Sequence, residues 1–263
     1  MKMGVIQTED WFNKETPLTE LAKKLKPYFP DRSEKALIQY LLTFGLYKNG
    51  KSGYKIIQSL KEEKVWGYVA KEYEWLRTRW GGPDVPVFLL PVDLSNTKIQ
   101  REYGGKSGLA FFDKLFLFLS PGVPKEEIKS LLIHEYHHIC RLAKSTKKEK
   151  DFTLTDVAIM EGLAEQAVRE LMGEERTASW TRLYQDAQIR TFWKKLILPN
   201  ENVKQEDRQF DKLMYGLGMY PKMLGYTAGY YAVKSYMKDT GLKTESLFTV
   251  PAERIVKALH IEE

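Results

Sequence analysis

The stretch His134-Glu135-Tyr136-His137-His138 packs three of the chain's four histidines into five residues. It lies in a segment whose apolar positions, Ile128, Leu131, Leu132, Ile139 and Leu142, recur at helical spacing after Pro121 and Pro124. That spacing predicts a helix from Lys125 through His138. Residues four apart on a helix are offset by only about 40°, so His134 and His138 project into the same space and can hold one metal ion. Glu135, about 100° round from His134, stands beside such an ion without being forced to ligate it. From there it can take a proton from an attacking water and deliver it to a leaving amine. A pairing of His134 with His137 would break that relation to Glu135, so His137 reads as structural. Cys140 points about 200° away from His138 and reads as a buried small hydrophobe.

A zinc ion with one position open to water takes three protein ligands. Cys140 is the single cysteine and His260 the one remaining histidine, at the C-terminal tail, so a carboxylate must supply the third ligand. After twenty-two intervening residues comes Glu161-Gly162-Leu163-Ala164-Glu165. It sits in a second predicted helix, capped by Thr153 or Thr155, striped by Val157, Met160, Leu163, Ala167 and Leu171, and stopped by Gly173. The connection is long enough to turn the chain back and set Glu161 opposite the histidines, and Gly162 permits close approach of the two helices. Glu165, one turn on, faces the same site and is placed to accept the outer N–H of a ligating histidine. The ligand types point to Zn2+, one per chain, although manganese or cobalt could use the same donors in vitro. An oxyanion formed by water attack needs a hydrogen-bond donor as well. The segment Gly225-Tyr226-Thr227-Ala228-Gly229-Tyr230-Tyr231 offers one, with Tyr226 as the first candidate.

H-E-x-x-H followed at this distance by E-G-x-A-E resembles the gluzincin metallopeptidases, in which the first Glu of the second motif is the ligand. With Gly104-Gly105-Lys106-Ser107-Gly108-Leu109 added, the combination resembles the YjaZ-like family of predicted zinc-dependent proteases. The resemblance runs from roughly Pro83 to Lys238 and implies a peptide or protein substrate. It also implies an α+β, predominantly helical fold: a small sheet, an H-E-x-x-H active-site helix and a helical C-terminal lobe. The edge strand of that sheet would pair with an extended peptide. Leu109 to Phe118 is the matching segment, which makes Leu109, Ala110 and Phe111 the substrate-contact candidates.

Upstream, Leu37, Tyr40, Leu41 and Phe44 repeat at helical spacing between Ser33, a plausible N-cap, and Gly45, a plausible stop. A second helical segment runs from about Ile56 to Trp80 and ends at Gly81-Gly82-Pro83, the clearest punctuation in the chain. The expected division is therefore a helical region over 1–82 and a metallopeptidase-like domain over 83–263. Val85 to Val92 and Leu109 to Leu119 read as strands. Asp113-Lys114 is either the turn of a hairpin or part of one strand, which periodicity does not decide. Downstream, Trp180 to Leu198 and Tyr226 to Met237 read as helices, with a looped stretch from Pro199 to Asp207 between them.

Across 263 residues, 43% are apolar and 29% charged, ordinary globular usage. No run approaches the roughly 18 to 20 apolar residues of a spanning helix, so no membrane span is expected. The first residues lack an apolar secretory region before Glu9 and Asp10. Together with a single cysteine, this makes the cytoplasm the expected compartment. The net charge of +6, 41 basic against 35 acidic residues, is spread in small clusters that read as solvated faces. The tryptophans recur at helical spacing without a nucleic-acid-binding signature, so no nucleic-acid partner is expected. Two alternatives remain. Gly45 to Ser52 matches the phosphate-binding G-x-x-x-x-G-K-S, which requires a strand before Gly45 and a helix after Ser52. A non-catalytic, metal-stabilised interaction protein would have no need of Glu135.

Overall fold

The apolar stripes of the sequence fold as helices whose ends are set by local turn chemistry. The computed structural model describes residues 3–14 and 16–261. Leu18–Leu25 (α1) is followed by Glu34–Thr43 (α2). The Ser33 hydroxyl accepts from the Ala36 amide at 3.2 Å, the bond of a helix N-cap, and Gly45 takes φ +99° beyond the C-terminus. Gly50–Glu62 (α3) opens on Asn49, whose side chain accepts from the Lys51 amide at 2.9 Å. Where the phosphate-binding reading needs a strand before Gly45, α2 stands instead, and that alternative falls.

The single helix expected from Ile56 to Trp80 is two, α3 and Val65–Trp80 (α4). The break comes at Lys64, held in the left-handed region at φ +56°. No glycine or proline marks it, and a lysine there costs about 1–2 kcal/mol. The bend brings Ile56, Ile57 and Leu60 on one side and Val65, Trp66 and Val69 on the other into the core, all of them buried. Gly67, by contrast, is exposed in the first turn of α4, with nothing near where a Cβ would stand. Gly67→Ala is therefore expected to raise the Tm by about 1–3 °C through helix propensity, as a circular-dichroism melt would show.

Gly4–Val5 (β1), Pro86–Pro91 (β2), Lys106–Ala110 (β3) and Leu115–Leu119 (β4) form one sheet in the order β1-β2-β4-β3. β2 is parallel to both β1 and β4, and β3 is antiparallel to β4. β2 and β4 are buried along their whole length, which is why their sequences are continuous apolar runs without polar alternation. Thr97–Glu102 (α5) lies between β2 and β3. Asp113 and Lys114 form the turn of a hairpin: the Phe111 amide donates to the Lys114 carbonyl at 2.9 Å. The Lys114 ammonium pairs with Asp113 and lies 4.7 Å from the ring centre of Phe29 and 4.8 Å from that of Phe111.

The hairpin also fixes which way the backbone of β3 faces. Ladder bonds join Ser120 to Gly105 and Phe111 to Lys114, both at 2.9 Å. Because bonded and non-bonded pairs alternate in an antiparallel ladder, Ser107 and Leu109 bond to β4. The backbone groups of Lys106, Gly108 and Ala110 point to the other side. Among the described residues no strand pairs there, so β3 is an edge.

The chain divides into two compact units, Met1–Ile139 and Cys140–Glu263. The division falls inside the long helix Lys125–Lys144 (α6), whereas Gly81-Gly82-Pro83 ends α4 and leads into β2. In the second unit, Leu154–Met172 (α7), Asp186–Phe192 (α8), Arg208–Tyr215 (α9), Leu224–Thr240 (α10) and Ala252–Lys257 (α11) contribute to a core that includes Trp193, Leu213, Leu224, Ala228 and Val233. The continuous helix expected from Trp180 to Leu198 is broken. It becomes a 3-10 turn, α8, a π turn over Trp193–Ile197 and a final turn holding Pro199. The π turn begins at Trp193, whose buried indole N–H donates to the Ala228 carbonyl at 3.0 Å, and Pro199 removes the next helical donor. The half-buried guanidinium of Arg141 donates to the carbonyls of Leu247 at 2.8 Å and Val250 at 3.0 Å, tying the end of α6 to the turn before α11.

α7 and α10 cross at glycines. A Cβ on Gly162 would collide with the backbone of Gly229, and one on Gly229 with the carbonyl of Ala158. Among the described residues, no helix is long and apolar enough to cross a membrane.

Candidate metal centre

The orientation of α6 is set by the two residues between its motif positions. Tyr136 is buried and its hydroxyl donates to the Pro83 carbonyl at 2.9 Å. Its ring stacks on Trp80 at 6.0 Å and meets Tyr73 edge-on at 5.1 Å. His137 is buried beside it, edge-on to Trp80 at 5.5 Å, in keeping with the structural reading. About two turns earlier, Lys129 pairs with Glu72 of α4 at 2.8 Å. With that face locked, His134, Glu135 and His138 occupy the others. The imidazoles of His134 and His138 stand edge to face at 4.7 Å, as their spacing of four predicts.

Glu161 projects from α7, whose start is fixed by a capping box between Thr153 and Asp156. One ligand atom from each of His134, His138 and Glu161 lies within 4.8 Å of the others. Tetrahedral zinc, with bonds of about 2.0–2.2 Å, sets its donors roughly 3.4 Å apart, a closure within the reach of side-chain rotation. Two imidazole nitrogens and a carboxylate oxygen are donor types that zinc takes, and the residues present fit such an ion.

Glu135 is 9% exposed and lies against β3: a Cβ on Gly108 would collide with its Cγ, Cδ and Oε1. Glu165 is buried, and its Oε1 accepts from the Ala178 amide, which holds Ala178 to Arg182 against α7. That segment carries Trp180, which packs with Met223, Tyr230 and Tyr226 in a small apolar cluster. Tyr226 is half-buried, its ring 5.3 Å from Trp180 and 5.6 Å from Tyr215.

Tyr230, one turn along α10, was not singled out by the sequence reading. It is 5% exposed, and its hydroxyl has no hydrogen-bond partner. Burial pushes its pKa up to about 12, so it remains a proton donor at neutral pH. The spacing of four between Tyr226 and Tyr230, which puts both on one face of a helix, was the available signal.

Of the three substrate-contact candidates, Ala110 alone directs its backbone to the open edge. Leu109 is bound into the ladder with β4. Phe111 lies in the hairpin turn, its amide bonded to Lys114 and its ring 5.4 Å from Phe29. Gly108, which the sequence reading quoted only as part of a motif, shares the open edge with Ala110.

A mostly helical α+β chain with two histidines one turn apart and a glutamate beside them, able together to hold a metal ion, is the class that fold and site define. The chain belongs to the family described as predicted Zn-dependent protease (DUF2268), whose model matches residues 65–257. The match takes in α4 as well as the expected Pro83 to Lys238. The chain is 42% identical over 260 residues to the uncharacterized protein YjaZ of Bacillus subtilis (strain 168), covering 98% of this chain and 100% of that one. It is 26% identical over 258 residues to the uncharacterized protein YjfC of the same organism, covering 90% and 84%. No solved structure matches it.

Proposed function

We propose that this protein is a zinc-dependent peptidase of gluzincin type, with His134, His138 and Glu161 as the metal ligands. The observation that carries the reading is the convergence of those three ligand groups, with a glutamate, Glu135, next to the first of them. When bound, zinc would polarise the scissile carbonyl and make water a nucleophile at neutral pH. Glu135 takes the proton from the attacking water and gives it to the leaving amine. The Tyr226 hydroxyl donates to the developing oxyanion, and Tyr230 is the next donor along the same helix. Glu165, besides holding Ala178, accepts the outer N–H of a ligating histidine and so fixes its tautomer.

The substrate is an extended peptide that adds to the open edge of β3. It pairs with the backbone of Gly108 and Ala110, whose N–H and C=O point that way. A single, buried cysteine, Cys140, suits a reducing compartment, and we place the protein in the cytoplasm. A purely structural metal site would leave Glu135 without a task.

Elemental analysis of tag-free protein, purified without added metal, is the first test. About one zinc per chain, lost in His134→Ala and weakened in Glu161→Ala, is the expected result. Protein that holds no metal in either form, and takes up none on titration, would overturn the reading.

A further inference from the structure

Gly108 sits in the middle of β3 with an ordinary strand backbone; it is not among the residues of positive φ. Torsion therefore gives no reason for a glycine there, and a strand glycine costs about 0.5–1 kcal/mol against alanine. The three atoms nearest to where a Cβ would stand all belong to Glu135: its Oε1, Cδ and Cγ lie within 2.4 Å of that point.

The strand is held firmly on either side of that contact. Lys106, two residues before and on the same face, pairs with Glu127 of α6 at 2.7 Å. Ser107, on the opposite face, donates to the Phe44 carbonyl at 2.8 Å. β3 is thus fastened to α6 at Lys106, and two residues on, at Gly108, the Glu135 carboxylate lies against its backbone.

We propose that Gly108 is a positioning residue for Glu135: the missing side chain is what lets the carboxylate lie against the edge strand, beside the backbone groups offered to an incoming peptide. This deepens the peptidase reading and, in its catalytic part, rests on it. The atoms that would be struck belong to a side chain that can swing, so a methyl group at 108 displaces the carboxylate without unfolding the protein. The strand edge itself is unchanged, so peptide binding is largely preserved.

The test is a double-mutant cycle in the full-length protein, Gly108→Ala alone and combined with Glu135→Ala, which removes all three colliding atoms. Gly108→Ala is expected to lower the Tm by about 2–4 °C when Glu135 is present, and not at all in the Glu135→Ala background. Zinc content should stay at the wild-type level. On a cleaved peptide, kcat should fall about tenfold or more, with KM within about threefold. Equal Tm shifts in the two backgrounds, or a loss confined to KM, would overturn the proposal. If Glu135→Ala melts too low to measure, the same cycle is read from urea midpoints in a stabilising osmolyte. Should the wild type hold zinc yet cleave no peptide, the peptidase reading fails on its own, while the melting cycle still decides the place of Gly108.

Discussion

Glu135→Gln is expected to keep its zinc and a wild-type Tm while losing turnover by a factor of about 100 to 10,000, the usual worth of a positioned general base. The amide has nearly the shape of the carboxylate, so it fits the space left by Gly108 and leaves both histidines in place. What it lacks is the capacity to take a proton. Every property that depends on shape should therefore survive, and only the one that depends on proton transfer should fail. The measurement is single-turnover cleavage of a peptide from a library screen, at matched zinc content. Turnover equal to wild type would sink the mechanism.

Gly229→Ala is expected to have the largest effect on stability. Its Cβ would run into the carbonyl of Ala158, a backbone atom inside α7, and Gly162 crowds the same crossing from the other helix. A side chain can turn away from a clash; a helix can only move bodily. Overpacking against backbone falls at the upper end of the usual range, about 3 kcal/mol, a fall in Tm of about 6–12 °C in a chain of this size. Because Glu161 is adjacent to Gly162 on α7, zinc affinity should weaken along with it. Calorimetry and elemental analysis of the same preparation check both. A Tm within about 1 °C of wild type would mean that the two helices have slack at their crossing.

The parts of the fold legible in the sequence were those written in local chemistry. Ser33 announced one helix start and Thr153 or Thr155 another, of which Thr153 is the cap; Gly81 and Gly173 announced helix ends, and the apolar runs of β2 and β4 their burial. The two histidines of the candidate metal site were legible for the same reason, since a spacing of four on one helix is a local property, whereas Glu161, on another helix, followed only from the scarcity of other donor types in the chain. The break at Lys64 was not, because nothing in Glu62-Glu63-Lys64 favours a left-handed residue and only the surrounding core calls for it. The π turn at Trp193 depends on a carbonyl thirty-five residues away in sequence. Gly162 was read as an approach point for its neighbouring helix, but the partner glycine at 229 entered only as part of the segment around Tyr226. The face of β3 could not be settled in advance, since shifting a strand by one residue exchanges its two sides. Leu109 and Phe111 fell on the ladder side and Gly108 on the open one.

The brevity of β3 also bears on how firmly anything can be held there. An unpaired strand edge is open to any extended chain, including the same edge of another copy, and long flat edges are where proteins aggregate. Here only Gly108 and Ala110 offer backbone groups beyond Lys106, whose amide is already bonded to the Tyr103 carbonyl at 3.4 Å. A chain that docks on so few rungs leaves as readily as it arrives. Self-association by this route should therefore be fleeting, and a peptide substrate of the kind proposed above would draw most of its affinity from contacts made beyond the strand.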